Sequence, residues 1–306
     1  MVQEKPVWTI LKILDWTKQY FKNKGVENPR LDAEVLLCAV LNCERIKLYT
    51  NFDQPLEETE LAKYREYVLR RGKMEPLAYI VGHKEFMNSD FKVTTDTLVP
   101  RQETELLVEE LIKMNETKGP REILDIGCGS GAILLSLLKE LPEARGLGID
   151  INPGAVAVTM ENAQKLQLED RAAVLVSDLY HNMLADDKFN LIVSNPPYIP
   201  TEDIKGLAED VQKEPHEALD GGSDGLDYYK KILERITDFL LPTGMAAFEI
   251  GIAQGDQVAS LCREAGFSIT TIGKDYAHID RMVFATKEGT DYANEIMALK
   301  QRKEFR

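Results

Sequence analysis

The 306-residue chain has no apolar run of about 18 residues, so no membrane-spanning helix is expected. It has four cysteines, Cys38, Cys43, Cys128 and Cys262, and none of them forms a C-x-x-C pair. They read as reduced thiols rather than a disulfide framework. The four histidines, His83, His181, His216 and His278, are isolated from one another, so no metal site is expected. Basic residues are scarce, 37 Lys and Arg against 51 Asp and Glu, giving a net charge of -14. Such a surface repels phosphates on average, which counts against a nucleic-acid partner without removing a local basic patch. Glycine/serine or proline-rich linkers, repeats and low-complexity runs are all lacking. The stretch from Met1 to Trp8 carries Glu4, Lys5 and Pro6 and has no apolar core of signal-peptide type, so a cytoplasmic location is expected.

What is present is a composition with ample core: 44% hydrophobic and 29% charged residues. Residues 1–75 read as a small helical bundle. Trp8, Leu11, Leu14 and Trp16 begin one amphipathic segment that ends near Gly25. Asn28-Pro29-Arg30 starts a second, carrying Leu31, Val35, Leu36 and Val40, and a third runs from about Leu56 to Arg71 and stops at Gly72. Residues 76–100 read as a β-hairpin connector. Leu77-Ala78-Tyr79-Ile80-Val81 is β-prone, and Asn88-Ser89-Asp90 is turn chemistry between Phe86 and Phe91. Residues 101–286 alternate strand and helix, which implies an α/β fold with a doubly wound, mostly parallel sheet. Residues 287–306 are expected to form a charged terminal helix or tail.

Two motifs in the α/β region carry chemistry. Asp125-Ile126-Gly127-Cys128-Gly129-Ser130-Gly131 lies where the first strand meets its helix, at the sheet edge that binds ligands in open α/β folds. The D-x-G-x-G-x-G spacing differs from the dinucleotide fingerprint G-x-G-x-x-G, which favours S-adenosylmethionine over NAD. Asp150 ends the next strand, where a carboxylate can accept both ribose hydroxyls. Asp178 and Leu179 end the third strand. There Asp178 can accept the adenine amine and Leu179 can lie on the ring, although without the other motifs a plain strand-end turn is the preferred reading. Asn195-Pro196-Pro197-Tyr198 ends the strand Leu191-Ile192-Val193. An amide nitrogen has its lone pair delocalised into the carbonyl. Asn195 Oδ1 and a carbonyl of Pro196 or Pro197 can hold its two hydrogens, and Tyr198 offers a flat face. Fixed acceptors favour the positive charge that develops as nitrogen attacks a sulfonium methyl. Asn195 can also touch the donor. Cys128 reads as small filler in the loop, not a nucleophile. Arg101, Glu103 and Glu105 open a helix, either complementing its dipole or closing over the donor. Glu249 ends a buried strand, either orienting substrate or pairing with a backbone donor.

These residues, together with Glu75-Pro76-Leu77-Ala78-Tyr79-Ile80, Pro100-Arg101-Gln102-Glu103-Thr104-Glu105 and Glu214-Pro215-x-x-Ala218-Leu219-Asp220-Gly221-Gly222, resemble the protein-(glutamine-N5) methyltransferases that modify peptide-chain release factors. The resemblance spans nearly the whole chain. It implies a class I methyltransferase-like seven-stranded sheet and S-adenosyl-L-methionine as cofactor, released as S-adenosyl-L-homocysteine. It implies that Gly127 to Gly131, Asp150 and Leu179 line the donor and that Asn195 to Tyr198 hold the acceptor. The implied partner is a class 1 release factor, modified on the glutamine of its Gly-Gly-Gln loop and docked in part by the helical N-terminal region. Gln102, Cys128 and Leu179 depart from the usual family residues, proline, threonine and an aromatic. Because Asn-Pro-Pro-Tyr also serves amino-methyltransferases of DNA and RNA, a nucleic-acid substrate is the competing reading. A binding module without activity is a second.

Overall fold

The computed structural model describes residues 7–118 and 121–306, so the Glu4, Lys5 and Pro6 reading lies outside the described residues. The chain forms two compact units, residues 1–82 with 208–213 and residues 83–207 with 214–306.

The first unit is helical: α1 (Ile10–Lys24), α2 (Pro29–Leu41), α3 (Arg45–Thr50), α4 (Glu58–Arg71) and α5 (Leu77–Val81). Thr9 caps α1 and Gly25 closes it in the left-handed conformation, while Glu57 and Glu60 form a reciprocal capping box on α4. The face α1 buries is Ile10, Ile13, Thr17 and Phe21. Leu11 and Trp16, expected on the apolar face, are instead about half exposed, because that face starts at Ile10 and repeats from there. Leu31, expected in the α2 stripe, is also exposed, whereas Leu36 of that stripe is buried together with Ala33 and Leu37. The segment Leu77–Val81, expected as β-prone, is a single helical turn. Pro76 precedes it and Gly82 ends it at φ 83°, and burial of Ala78, Tyr79 and Ile80 outweighs local β propensity. Arg71 is buried in this unit between Asp32 at 2.6 Å and Asp210 at 3.1 Å.

The second unit opens with a hairpin of β1 (His83–Phe86) and β2 (Ser89–Lys92). Its turn is Met87-Asn88 rather than Asn88-Ser89-Asp90. Both central residues have positive φ, 46° and 52°, the pattern of a two-residue hairpin turn, and Ser89 and Asp90 already pair as strand. After the hairpin come α6 (Gln102–Asn115), β3 (Glu122–Ile126), α7 (Ala132–Glu140), β4 (Arg145–Asp150), α8 (Pro153–Lys165), β5 (Ala172–Val176) and β6 (Phe189–Ser194). Then follow α9 (Asp227–Phe239), β7 (Leu240–Glu249), α10 (Gly255–Glu264), β8 (Ile269–Lys274), β9 (Asp280–Thr286) and α11 (Asp291–Leu299). The seven-stranded sheet runs β5-β4-β3-β6-β7-β9-β8 and is parallel except for β9. This is the expected doubly wound sheet. Its order reverses between β3 and β6, the point at which open α/β sheets leave a crevice beyond their carboxyl ends. One apolar layer, including Leu134, Leu137, Val193 and Phe284, covers one face of the sheet, and another, including Ile192, Tyr229 and Phe248, covers the opposite face. The expected terminal helix is α11, and beyond it Phe305 is buried and bridges to Gly273.

Candidate active site

The crevice at the reversal point contains the ends of β3, β4, β5 and β6 together. Ile126 of β3 pairs with Ser194 of β6, so Gly127 and Asn195 leave the sheet side by side. Ser194 Oγ donates to the Ile126 carbonyl at 2.6 Å and fixes that pairing in the buried interior. Gly127, Cys128, Gly129, Ser130, Asp150, Asp178, Leu179, Asn195, Pro196 and Pro197 all line one open cleft.

The glycine loop has two different uses for its residues. Gly127 and Gly129 sit at φ 74° and 57°, and a Cβ on either would meet nothing within 4 Å, so the backbone faces the open cleft there. Gly131, at φ 79°, is the N-cap of α7. A Cβ on it would stand 2.7 Å from Thr159 Cγ2, so it serves the packing of α7 against α8 rather than the cleft. Asp125 also stands behind the loop rather than in the cleft. Its Oδ2 accepts from Leu134 N–H at 3.2 Å, and its Oδ1 has no hydrogen-bond partner. Burial raises its carboxyl to about 7, against the Leu134 bond and with help from Asp150. Cys128 is buried against Thr159, and burial pushes its thiol well up, which leaves it a neutral filler.

Asp150 ends β4 at the cleft. Oδ2 accepts from Gly129 N–H and Oδ1 from Asn152 N–H, both at 2.9 Å. Burial raises its carboxyl above the ordinary range, and those two backbone donors oppose the rise. Each oxygen still has a lone pair for a diol. Leu179 adopts a left-handed backbone at φ 48°, held by Ser177 Oγ donating to its carbonyl at 2.6 Å.

At the end of β6, Asn195 Nδ2 donates to Thr104 Oγ1 at 3.4 Å, which turns Oδ1 the other way. Thr104 in turn donates to Glu249 Oε2 at 2.5 Å. Tyr198 does not line the cleft. Its hydroxyl donates to Glu249 Oε1 at 3.4 Å, and its carbonyl accepts from Gln254 Nε2 at 2.9 Å. Glu249 thus pairs with two hydroxyls and not with a backbone donor. Its burial raises its carboxyl to about 7, although Thr104, Tyr198 and Arg281 favour the charge. The Pro197 carbonyl faces Gly221, where a Cβ would come within 2.8 Å of it.

Sequence reasoning missed Thr104, which lines the cleft from the first turn of α6, although it stands inside the Pro100 to Glu105 segment. It also missed Glu217, on the segment that follows Glu214. Arg101 pairs with Glu214 at 2.5 Å, and Glu214 also accepts from Val99 N–H at 2.9 Å, so two family segments meet in one ion pair. Glu105 accepts from Met87 N–H at 2.8 Å and ties down the hairpin turn. Among the described residues no group of three His, Cys, Asp or Glu side chains could hold a metal ion, and no helix is long and apolar enough to cross a membrane.

The seven-stranded sheet and the match of residues 101–223 to the Methyltransferase small domain give a methyltransferase of the S-adenosylmethionine-dependent class. Residues 12–82 match the PrmC N-terminal domain. A release factor glutamine methyltransferase of Geobacter sulfurreducens is 44% identical over 284 residues, 92% of this chain and 98% of that protein. One of Caulobacter vibrioides is 40% identical over 282 residues, 91% of this chain and 97% of that protein. Among solved structures, the hMettl16 catalytic domain in complex with an RNA hairpin shares the fold at TM-score 0.52 and 15% identity, over 77% of this chain and 84% of that one. The chain belongs to the release factor glutamine methyltransferase family.

Proposed function

We propose that the enzyme transfers a methyl group from S-adenosylmethionine to the side-chain amide nitrogen of the glutamine in the Gly-Gly-Gln motif of class 1 peptide-chain release factors. The observation that supports this reading best is the pairing of Ile126 with Ser194, after which Gly127 and Asn195 leave neighbouring strands at the same edge of the sheet. The residues present fit the donor. Asp150 keeps acceptor capacity toward a ribose, and the Gly127 and Gly129 backbones stand open to the cleft. Leu179 offers an apolar surface to the base, and Asp178 beside it accepts the exocyclic amine.

S-adenosylmethionine, when bound, supplies an electrophilic methyl on a sulfonium. Asn195 Oδ1 and a carbonyl of Pro196 or Pro197 accept the two N–H hydrogens of the glutamine amide. That aims its nitrogen and favours the positive charge the nitrogen acquires. With the donor held at the cleft by Asp150 and the Gly127 and Gly129 backbones, its methyl would pass to that nitrogen with S-adenosylhomocysteine as the leaving group, and one nitrogen proton would go to water. The two prolines add rigidity and no competing N–H. The helical first unit is assigned to docking the release factor, and the location is assigned to the cytoplasm, where release factors act on ribosomes. The net charge of -14 favours a protein over a polyanion as substrate.

The test is mass spectrometry of the release-factor peptide carrying Gly-Gly-Gln after incubation with enzyme and donor. One added methyl on that glutamine is expected. No modification there, with label entering DNA or ribosomal RNA instead, overturns the reading.

A further inference from the structure

We infer that Glu249, acting through Thr104, sets which end of the Asn195 amide faces the acceptor nitrogen, and so is a positioning residue for methyl transfer. The inference rests on the proposed role of Asn195 as an acceptor.

The protons each group carries fix the directions of these hydrogen bonds. A threonine hydroxyl has one proton and can donate once. The short contact, 2.5 Å, is to Glu249 Oε2, so the proton lies there. The second contact of the same oxygen, to Asn195 at 3.4 Å, must then be one in which threonine accepts. Only the NH2 end of Asn195 can supply that hydrogen. The amide oxygen is therefore directed away from Thr104, where an incoming NH2 group needs it. An asparagine at this strand end has no intrinsic preference between its two ends, since they are nearly the same in shape. A carboxylate two bonds away in the network provides the preference.

Tyr198 reinforces the arrangement. Its hydroxyl, also with one proton, donates to Glu249 Oε1 at 3.4 Å. Two hydroxyl donors converge on a side chain that is only 2% exposed, on a strand whose Phe248 pairs with Ser194 just before Asn195. Arg281 on β9 favours the charge on Glu249, and Glu103 on α6 opposes it. Arg281 is itself tied to Asp275 at 2.9 Å. Protonating Glu249 removes the constraint. The carboxyl can then donate to Thr104, which frees the threonine proton for the asparagine oxygen and lets the amide present its NH2 end to the substrate. Two NH2 groups would then face each other and the acceptor would no longer be held. The active form is the carboxylate, so turnover rises with pH through the titration of Glu249, near 7.

The experiment measures kcat on full-length release factor at saturating S-adenosylmethionine, from pH 5.5 to 8.5. Saturating donor separates Glu249 from Asp125, which titrates in the same range but lies behind the donor loop. Thr104→Val keeps the shape and removes the relay. It is expected to lower kcat roughly tenfold or more, the scale on which a misplaced reacting group slows an enzyme, and to leave donor affinity unchanged. Thr104→Ser is expected to restore both the rate and the acidic limb. Glu249→Gln cannot titrate, so its kcat loses the acidic limb whatever its level. A Thr104→Val enzyme with wild-type kcat, or a Glu249→Gln enzyme that keeps the wild-type acidic limb, overturns the inference. Absence of release-factor methylation by the wild-type enzyme overturns the proposed function instead, so the two failures are distinguishable.

Discussion

Replacing Asp150 by asparagine separates the donor site from everything else in the molecule. The carboxylate uses one lone pair of each oxygen on the Gly129 and Asn152 N–H groups, both at 2.9 Å. In Asp150→Asn one of those oxygens becomes an NH2 group facing an N–H, and the charge that would receive the ribose hydroxyls is gone. Hydrogen bonds to a charged group contribute about 1.5–3 kcal/mol each, and two are weakened. Against this, burial already raises the Asp150 carboxyl above its ordinary range, so losing the charge returns some desolvation cost. The net expectation is about 2–3 kcal/mol, or roughly 30- to 150-fold in Kd for the donor. The same sign applies to stability. A carboxyl whose folded pKa is raised contributes stability that is lost as pH rises through that value, so at neutral pH the apo variant is no less stable through this term. Calorimetric titration with S-adenosylmethionine and S-adenosylhomocysteine gives the affinity, and melting with and without ligand gives the stabilisation by binding. A variant that binds within threefold of wild type would refute the assignment of Asp150 to the ribose.

Other positions give independent checks. Asn195→Ala is expected to lower kcat on release factor by about 100-fold, as loss of one preorganised polar partner does, while Kd for the donor changes little; equal loss in both would place Asn195 on the donor. Gly131→Ala is expected to destabilise the fold by about 1–3 kcal/mol in urea titration, because its φ of 79° is strained for alanine and the new Cβ meets Thr159. Gly129→Ala has the strain without the clash, so its larger effect is expected on donor affinity, and the reverse ranking of the two variants would contradict the division of the loop. Arg71→Met leaves Asp32 and Asp210 without their shared cation and is expected to cost about 3–5 kcal/mol, the usual penalty for breaking a buried pair. Its readout is the urea midpoint.

Periodicity made the second unit legible because each β-α repeat is long enough to declare itself. The strands ending in Asp150 and Ser194 and the helix opened by Pro153 stand close to where apolar runs and capping residues place them. The first unit was less legible for the same reason reversed. Leu77–Val81 is too short for a period, so its β-branched and aromatic content dominated, whereas the flanking Pro76 and left-handed Gly82 decide the outcome. α3 is six residues long and has no side-chain cap, so it left no signal at all. Around α1, Trp8 before the helix and Leu11 and Trp16 within it drew the apolar face toward residues that the fold leaves more exposed than Ile10, Ile13 and Phe21.

The site divides along a similar line, set by whether a role is local or relational. That Gly127, Asp150 and Asn195 share one cleft was legible because Asp150 ends β4 and Gly127 and Asn195 directly follow β3 and β6, and strand ends of a doubly wound sheet converge by topology. Thr104 was not, and Glu249 was noticed as a strand-end acid without its partner, because the links between them and Asn195 join residues 91 and 145 apart in sequence. Nothing in a helix-opening Gln-Glu-Thr-Glu distinguishes the threonine from its acidic neighbours, and Glu105, the more conspicuous acid, turns out to hold a hairpin turn. The register of β6 against β7 converts these remote positions into a constraint. Ser194 pairs with Phe248, so the next residues on the two strands, Asn195 and Glu249, leave the sheet edge together with one hydroxyl between them. A single-residue slip would turn Glu249 to the other face of the sheet and free the asparagine amide. The chemistry assigned to Asn195 thus depends on strand pairing as much as on the four residues of its motif. A search for this activity on other chains should ask for a carboxylate one position past the paired residue on the neighbouring strand, and for a hydroxyl to connect them.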